Sequence, residues 1–361
     1  MICYINRSTV DYDIRLQKYV QACQETNTPY CVIGWDRIHN CSRVYPNEYQ
    51  YRAFSPYGNG LKSLLPLIGW VFFVLFHLIK LRKQYSVIHA CNIENYLVAY
   101  PAKWFGKKMV LDVYDSTESE IETKQAKRSD ALILPSNHRL EQIKVQRKEL
   151  NNYLEVENVP VFHKGIQKKL SPEFPNRIHL SYVGVMQRNI RGIENVLSLV
   201  KEDERFVLDI AGTGDGLDKE IEELAKNNNR INYHGKVDYQ TALEIMSSSD
   251  FIVALYYLCE TSHKYASPNK YYESLYLAKP VITTKGTLVG KTVEDYNTGY
   301  TIYDTKEALK ELFSQVSTEA FKEDYKTKSQ NCEERWLQVY SQYFDTVTKG
   351  EYIKMMKTLC F

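Results

Sequence analysis

The sequence has no CxxC pair. Its eight cysteines, Cys3, Cys23, Cys31, Cys41, Cys91, Cys259, Cys332 and Cys360, stand singly along the chain. That spacing argues against a zinc site and a disulfide framework and for a reducing cytoplasm. An excess of one charge is lacking too. The 46 basic and 44 acidic side chains leave a formal net charge of +2, so the whole molecule has no electrostatic case for nucleic acid. The N-terminus, MICYINRSTV, has no basic stretch followed by an apolar run, so no signal peptide is expected. No GxGxxG with an acidic residue about twenty positions on is present, which sets aside a dinucleotide fingerprint. No carboxylate cluster or His/Cys spacing implies a metal, and no short repeat or low-complexity tract appears. A run of the ~20 apolar residues needed to span a bilayer is missing as well. Leu64 to Ile79, LLPLIGWVFFVLFHLI, comes nearest, but it is shorter and is interrupted by Pro66, Gly69 and His77. It fits either a core helix packed on a sheet or a helix lying in the headgroup region of an anionic membrane. Lys62 before it, Lys80, Arg82 and Lys83 after it, and Trp70, Phe72, Phe73 and Phe76 within it suit the second description.

What is present is the composition of a soluble globular protein, 44% hydrophobic and 25% charged, in 361 residues, enough for two domains with a core each. Strand-like runs alternate with helical ones: Ile2 to Ile5, Tyr30 to Trp35, Val87 to Ala90, Lys108 to Val113 and Ala131 to Leu134 read as strands. Between them Asp13 to Glu25, the long segment through Arg82, the stretch to Phe105 and a polar stretch to Arg128 read as helices. Asn158 to Pro175, with Gly165 and three prolines, reads as a linker. The alternation then restarts, with strands at His179 to Val183, Phe206 to Ala211, Ile231 to His234, Phe251 to Leu255 and Val281 to Thr284. Strands alternating with helices predict parallel, doubly wound sheets. Residues 1–165 and 176–330 are the expected domains, facing across a cleft where the carboxyl ends of such strands bind ligands. A helical tail, 331–361, is expected to pack back on the first domain.

The chemistry gathers around Ser267 to Ile282, SPNKYYESLYLAKPVI. Ser267 is expected to cap a helix, Pro268 to occupy its first turn, and Pro280 to end it. Asn269 and Lys270 follow the proline. A lysine at the positive end of the macrodipole is unfavourable unless an anion sits between them, which suggests a phosphate site. Glu273, one turn on, is placed to meet hydroxyls of the same ligand; a plain surface Lys270–Glu273 pair is the alternative. Upstream, Arg188 and Arg191 stand before Gly192 and a helix and can clamp a diphosphate. Gly212 and Gly214, in GTGDG, let backbone approach a ligand. Lys236 and Val237 follow Gly235 at the next strand end, where their backbone can meet a base.

The order strand–Gly–loop–Arg–Gly–helix, GTGDG, YHGKV, SSSDF, SPNKYYESLYLAKPVI and Asn297 to Gly299 resembles the C-terminal domain of retaining glycosyltransferases of the GT-B fold, glycosyltransferase family 4. CVIGWDR at Cys31 to Arg37, YSVIHACNIENYLVAYPAKWFGKKMVLDVYD at Tyr85 to Asp115 and the Asp13/Arg15 pair extend the resemblance to the polysaccharide-building branch. It implies an α/β GT-B architecture of two Rossmann-like domains, with the nucleotide diphosphate on the second and the acceptor mainly on the first. By matching position it implies that Arg191 and Lys270 neutralise the diphosphate. Glu273 binds the ribose, and the Lys236–Val237 backbone holds the base. Three places depart from the family pattern: Tyr265 stands where the first glutamate of Glu-x7-Glu belongs, Asn6-Arg7-Ser8-Thr9 replaces a glycine-rich loop, and Tyr114 replaces a histidine. Asp115 is then the candidate for a donor-sugar contact or acceptor base, unless it merely caps the next helix. His89 is expected to be structural.

The expected activity is transfer of a sugar from a UDP- or GDP-linked donor, with retention, to a polysaccharide or lipid-linked oligosaccharide. No metal or other cofactor is implied, and the expected place is the cytoplasm or the inner face of the plasma membrane. The rivals are a sugar-nucleotide epimerase or hydrolase of the same fold and a non-catalytic member of a glycan assembly complex.

Overall fold

The computed structural model describes residues 1–37, 45–55, 63–162, 166 and 177–360. Cys41, Lys62 and most of the Asn158–Pro175 linker lie outside the described residues. The chain divides into two units, Met1–Val161 with Gln342–Phe361, and Phe162–Ser341. The tail is thus shared, its last twenty residues belonging to the first unit and 331–341 to the second.

The first unit holds β1 (Ile2–Asn6), β2 (Tyr30–Asp36), β3 (Glu48–Arg52), β4 (Val87–Cys91), β5 (Lys108–Asp112), β6 (Ala131–Leu134) and β7 (Tyr153–Glu155). They form one parallel sheet in the order β3-β2-β1-β4-β5-β6-β7. Because βαβ crossovers put helices on both faces, the inner strands are buried almost throughout and mostly apolar rather than alternating. β1 illustrates this: Cys3 and Ile5 enter one core with Trp35, Trp70 and Leu111, while Ile2 and Tyr4 enter the other with Leu16, Tyr19 and Tyr352. The second unit holds β8 (Ile178–Val183), β9 (Phe206–Ala211), β10 (Ile231–Tyr233), β11 (Phe251–Ala254), β12 (Val281–Thr284) and β13 (Gly299–Ile302). Its sheet is parallel in the order β10-β9-β8-β11-β12-β13.

Every strand expected from the sequence is present to within a residue at each end. Three were missed: β3, β7 and β13. β3 corrects the reading of one helix from the end of β2 through Arg82, since among the described residues there the helix is Leu64–Leu81 and a strand precedes it. The Asn269–Leu277 helix also starts later than expected. Pro268 is its N-cap, no side chain caps it, and Ser267 Oγ lies 3.4 Å from the Tyr272 hydroxyl instead. Pro280 does not end it; Ala278 does, in the left-handed conformation at φ 55°, ψ 40°.

Candidate active site

In the second sheet the chain runs outward from β8 to β9 and β10, then returns to the other side of β8 as β11. The carboxyl ends of β8 and β11 therefore flank a topological switch point, where doubly wound sheets bind ligands. The loops there are tied backbone to backbone: Gly184 N–H donates to Ala211 O at 2.9 Å, Met186 N–H to Thr213 O at 3.1 Å, and Gly212 N–H to Gly235 O at 2.7 Å. This explains two of the sequence's glycines differently from ligand approach. A Cβ on Gly212 would stand 1.8 Å from Gly184 O and one on Gly214 2.3 Å from Met186 O, both at positive φ. Here glycine is required by the neighbouring loop.

Lys270 reaches back from the Asn269 helix to this point. Its Nζ would be 2.7 Å from a Cβ on Gly184, and it lies 5.3 Å from the centre of the Tyr182 ring at the end of β8. Desolvation lowers the ammonium to about 8; Glu273 opposes that shift and Arg191 adds to it. Glu273 is itself 5% exposed, and burial pushes its carboxyl up against the pull of Lys270 and of the Tyr239 hydroxyl, which donates to Oε1 at 3.1 Å. Arg191 lies over the Tyr256 ring at 4.6 Å, just past β11, with its Nε on Gln187 Oε1 at 3.0 Å. Arg191, Lys270 and Glu273 thus share one electrostatic neighbourhood at the strand ends. The helix beneath them contributes first-turn amides that no side chain caps, since Pro268 has no acceptor to offer. Two cations, helix-terminal donors and one buried carboxylate are what a nucleoside diphosphate requires.

Other expected residues are spread more widely. Arg188 is exposed and pairs with Glu220 at 2.6 Å, and its backbone N–H donates to Asp215 Oδ2 at 3.2 Å, so it does not join Arg191. The helix after Gly192 begins at Ile193, so both arginines lie on the loop that precedes it. Lys236 is exposed and Val237 half-buried on the turn after β10. Tyr265, half-buried, closes the 3-10 turn Thr261–Tyr265 ahead of Ser267, Pro268 and Asn269.

In the first unit Asn6, at the end of β1, donates to Asp13 Oδ2 at 2.5 Å. Asp115 is exposed on the turn after β5, its N–H on Asn92 Oδ1 at 3.2 Å. It does not cap the next helix, because Ser119 does. The structure adds a cluster that sequence reasoning missed. Asp112, fully buried, accepts from Arg15 Nη2 at 2.8 Å and Nε at 3.1 Å, from the Tyr19 hydroxyl at 2.9 Å and from His89 Nε2 at 3.1 Å. Burial alone would raise this carboxyl, but Arg15 and His89 outweigh it and hold it well below the usual range. His89 bonds onward through Nδ1 to the Tyr352 hydroxyl at 3.0 Å, so it fastens the C-terminal segment to the sheet. Among the described residues no group of three or more His, Cys, Asp or Glu side chains is placed to hold a metal ion.

Two doubly wound parallel sheets, each with its own core, define the GT-B class of fold. Residues 177–318, most of the second unit, match the family model described as Glycosyl transferases group 1. An uncharacterized glycosyltransferase of Methanocaldococcus jannaschii is 30% identical over 121 residues, which cover 29% of this chain and 30% of that protein. The match therefore spans under a third of the relative's length. Sucrose-phosphate synthase from Thermosynechococcus elongatus superposes with a TM-score of 0.74 at 15% identity, over 99% of each chain. Anabaena HepE, solved in complex with UDP and glucose, gives 0.70 at 14% over 99% of each. WaaG, a glycosyltransferase involved in lipopolysaccharide biosynthesis, gives 0.66 at 12% over 96% of this chain and 98% of its own. At these identities the likeness concerns the fold.

Proposed function

We propose that the chain is a glycosyltransferase, moving a hexose from a UDP- or GDP-linked donor to a glycan or lipid-linked glycan acceptor with retention of configuration. The observation that carries this reading is Lys270, a desolvated ammonium beside an uncapped helix start and within the field of Arg191 and Glu273. Departure of a nucleoside diphosphate builds charge on the β-phosphate, and fixed cations with helix-terminal amides stabilise it without reorganising. Arg191 and Lys270 are assigned to that charge and Glu273 to the ribose hydroxyls. The Lys236–Val237 backbone is assigned to the base, and Asn269, Ser267, Pro268 and Tyr265 to the rim of the donor site. A front-face attack, with the leaving phosphate taking the acceptor proton, gives retention without a carboxylate nucleophile. Asp115 is assigned to the acceptor side. The match of residues 177–318 and the UDP and glucose held by HepE support a nucleotide-sugar donor and favour UDP. The uniformly free thiols of the described cysteines suit a cytoplasmic enzyme.

The test is incubation with UDP- and GDP-sugars, reading nucleotide release, glycoside product and the thermal shift produced by UDP or GDP. A shift, release and glycoside together support transfer. Nucleotide released without a glycoside points to the epimerase or hydrolase. No response to either nucleotide would leave only a non-catalytic partner.

A further inference from the structure

The helix Leu64–Leu81 is about 27 Å long. One side is committed to the first unit's core: Trp70, Val74, Leu78 and Leu81 are buried, and Trp70 stacks on Trp35 at 5.7 Å. The other side is apolar and open to solvent. Leu65 is 79% exposed, Ile68 44%, Phe72 69%, Phe76 60% and Ile79 52%. Their spacing of three, four, four and three residues sets them in one stripe along the helix. At its end Lys80, Arg82 and Lys83 are exposed. The neighbouring helix, Asn92–Ala99, packs beside it over the same face of the sheet. The 3-10 turn that follows, Tyr100–Phe105, carries Trp104, 80% exposed.

We propose that this face docks on an anionic lipid bilayer. The stripe from Leu65 to Ile79 and the Trp104 ring enter the boundary between headgroups and acyl chains, and Lys80, Arg82 and Lys83 meet lipid phosphates. The helix lies in the membrane plane, because crossing would pull Trp70, Val74 and Leu78 out of a packed core. Composition favours lipid over a second copy of the chain. Residues 64–83 include no Asp or Glu, so an identical helix laid on this face offers the basic end no counter-charge, whereas an anionic headgroup does. Aromatic and long aliphatic side chains with basic residues at one edge are the composition that partitions into the interface. This inference does not depend on the proposed transfer reaction.

The experiment floats the full chain with phosphatidylcholine vesicles and with phosphatidylcholine vesicles carrying about 30% phosphatidylglycerol. Co-flotation with the anionic vesicles at low salt is expected, falling about tenfold or more in Phe72→Ser/Phe76→Ser, whose side chains are already exposed and whose melting curve should match wild type. Brominated lipid reads insertion directly. Trp35, Trp70 and Trp336 are buried, so quenching should come from Trp104 and vanish in Trp104→Phe. No flotation at low salt overturns the proposal, as does flotation that the double variant leaves unchanged. Resistance to alkaline extraction would overturn the in-plane placement. A vesicle-indifferent dimer that F72S/F76S dissociates would assign the face to a second copy.

Discussion

Replacing Lys270 by methionine separates a phosphate clamp from a structural ion pair. The ammonium titrates at about 8 against an ordinary 10.5, chiefly through desolvation. At 1.36 kcal/mol per unit that corresponds to about 3 kcal/mol against the charged form. The side chain keeps some solvent access, and Glu273 loses a partner in the variant, so a net of about 1–2 kcal/mol is the reasonable expectation. The sign follows from the two titration points. Below about pH 8 the lysine is protonated in both folded and unfolded chains and the cost is fully present; between 8 and 10.5 the folded chain sheds its proton first and the cost fades. At pH 7 the ligand-free Lys270→Met chain should therefore be more stable than wild type, by about 2–6 °C in the transition of the second unit. By about pH 10 the difference should have largely gone. With UDP the order reverses, since a charge-assisted hydrogen bond to phosphate is worth about 1.5–3 kcal/mol and affinity should fall about 10- to 100-fold. Thermal and urea unfolding across this pH range, with and without UDP, read both effects. A ligand-free K270M chain destabilised by more than about 1 kcal/mol, with an undiminished UDP response, would make Lys270 the structural counter-ion of Glu273 and refute the reasoning.

Tyr239→Phe removes the donor to Glu273 and should weaken UDP binding about 3- to 10-fold while leaving inorganic pyrophosphate binding unchanged, whereas K270M weakens both; competitive calorimetry distinguishes them. Ala278→Gly relieves a left-handed alanine, a gain of about 1–2 kcal/mol offset by about 0.5–1 kcal/mol of unfolded-state entropy, so urea unfolding should show a net stabilisation. Asp112→Asn leaves Arg15 buried without its counter-charge and should cost about 3–5 kcal/mol. Because Asp112 is held below its ordinary 3.8, its contribution is present above that pH and lost as pH falls through the lower folded value. The gap between wild type and D112N in acid unfolding should narrow over that range.

The strands that were legible in the sequence are, with the exception of β10, interior ones. Each is a short run of apolar and β-branched residues bounded by turns, because helices cover both faces and leave no polar side. β3, β7 and β13 escaped notice, and all three are edges. EYQYR in β3 and YLE in β7 are half-buried and polar, and GYTI in β13 follows directly on an asparagine turn. Their conformation comes from the partner strand rather than from their own pattern, as β-propensity measured on edges would suggest. The same limit explains Ser267. A serine before a proline and a helical run reads as a cap, but the proline took the N-cap position itself, where it has no side chain to offer.

The candidate site was legible only in part, for a reason that the two buried cation–carboxylate sets make plain. Lys270 and Glu273 are three residues apart, so their pairing can be read along one helix; Arg191 enters their field from another loop, and only the fold brings it there. Asp112 and Arg15 are 97 residues apart, yet a signal existed: an aspartate ending the apolar run KMVLD must be paired if the strand is buried. The two sets differ in how far their charge is spent. Asp112 takes four hydrogen bonds, two of them from one guanidinium, and its carboxyl is held down accordingly. Lys270 is joined to Glu273 only through space, among the described residues, and its ammonium is depressed while the carboxyl is raised. A closed set stabilises the fold and has nothing left for a ligand. An open set costs stability until an anion arrives, which is why the second unit, and not the more heavily bonded first, is where the diphosphate is expected.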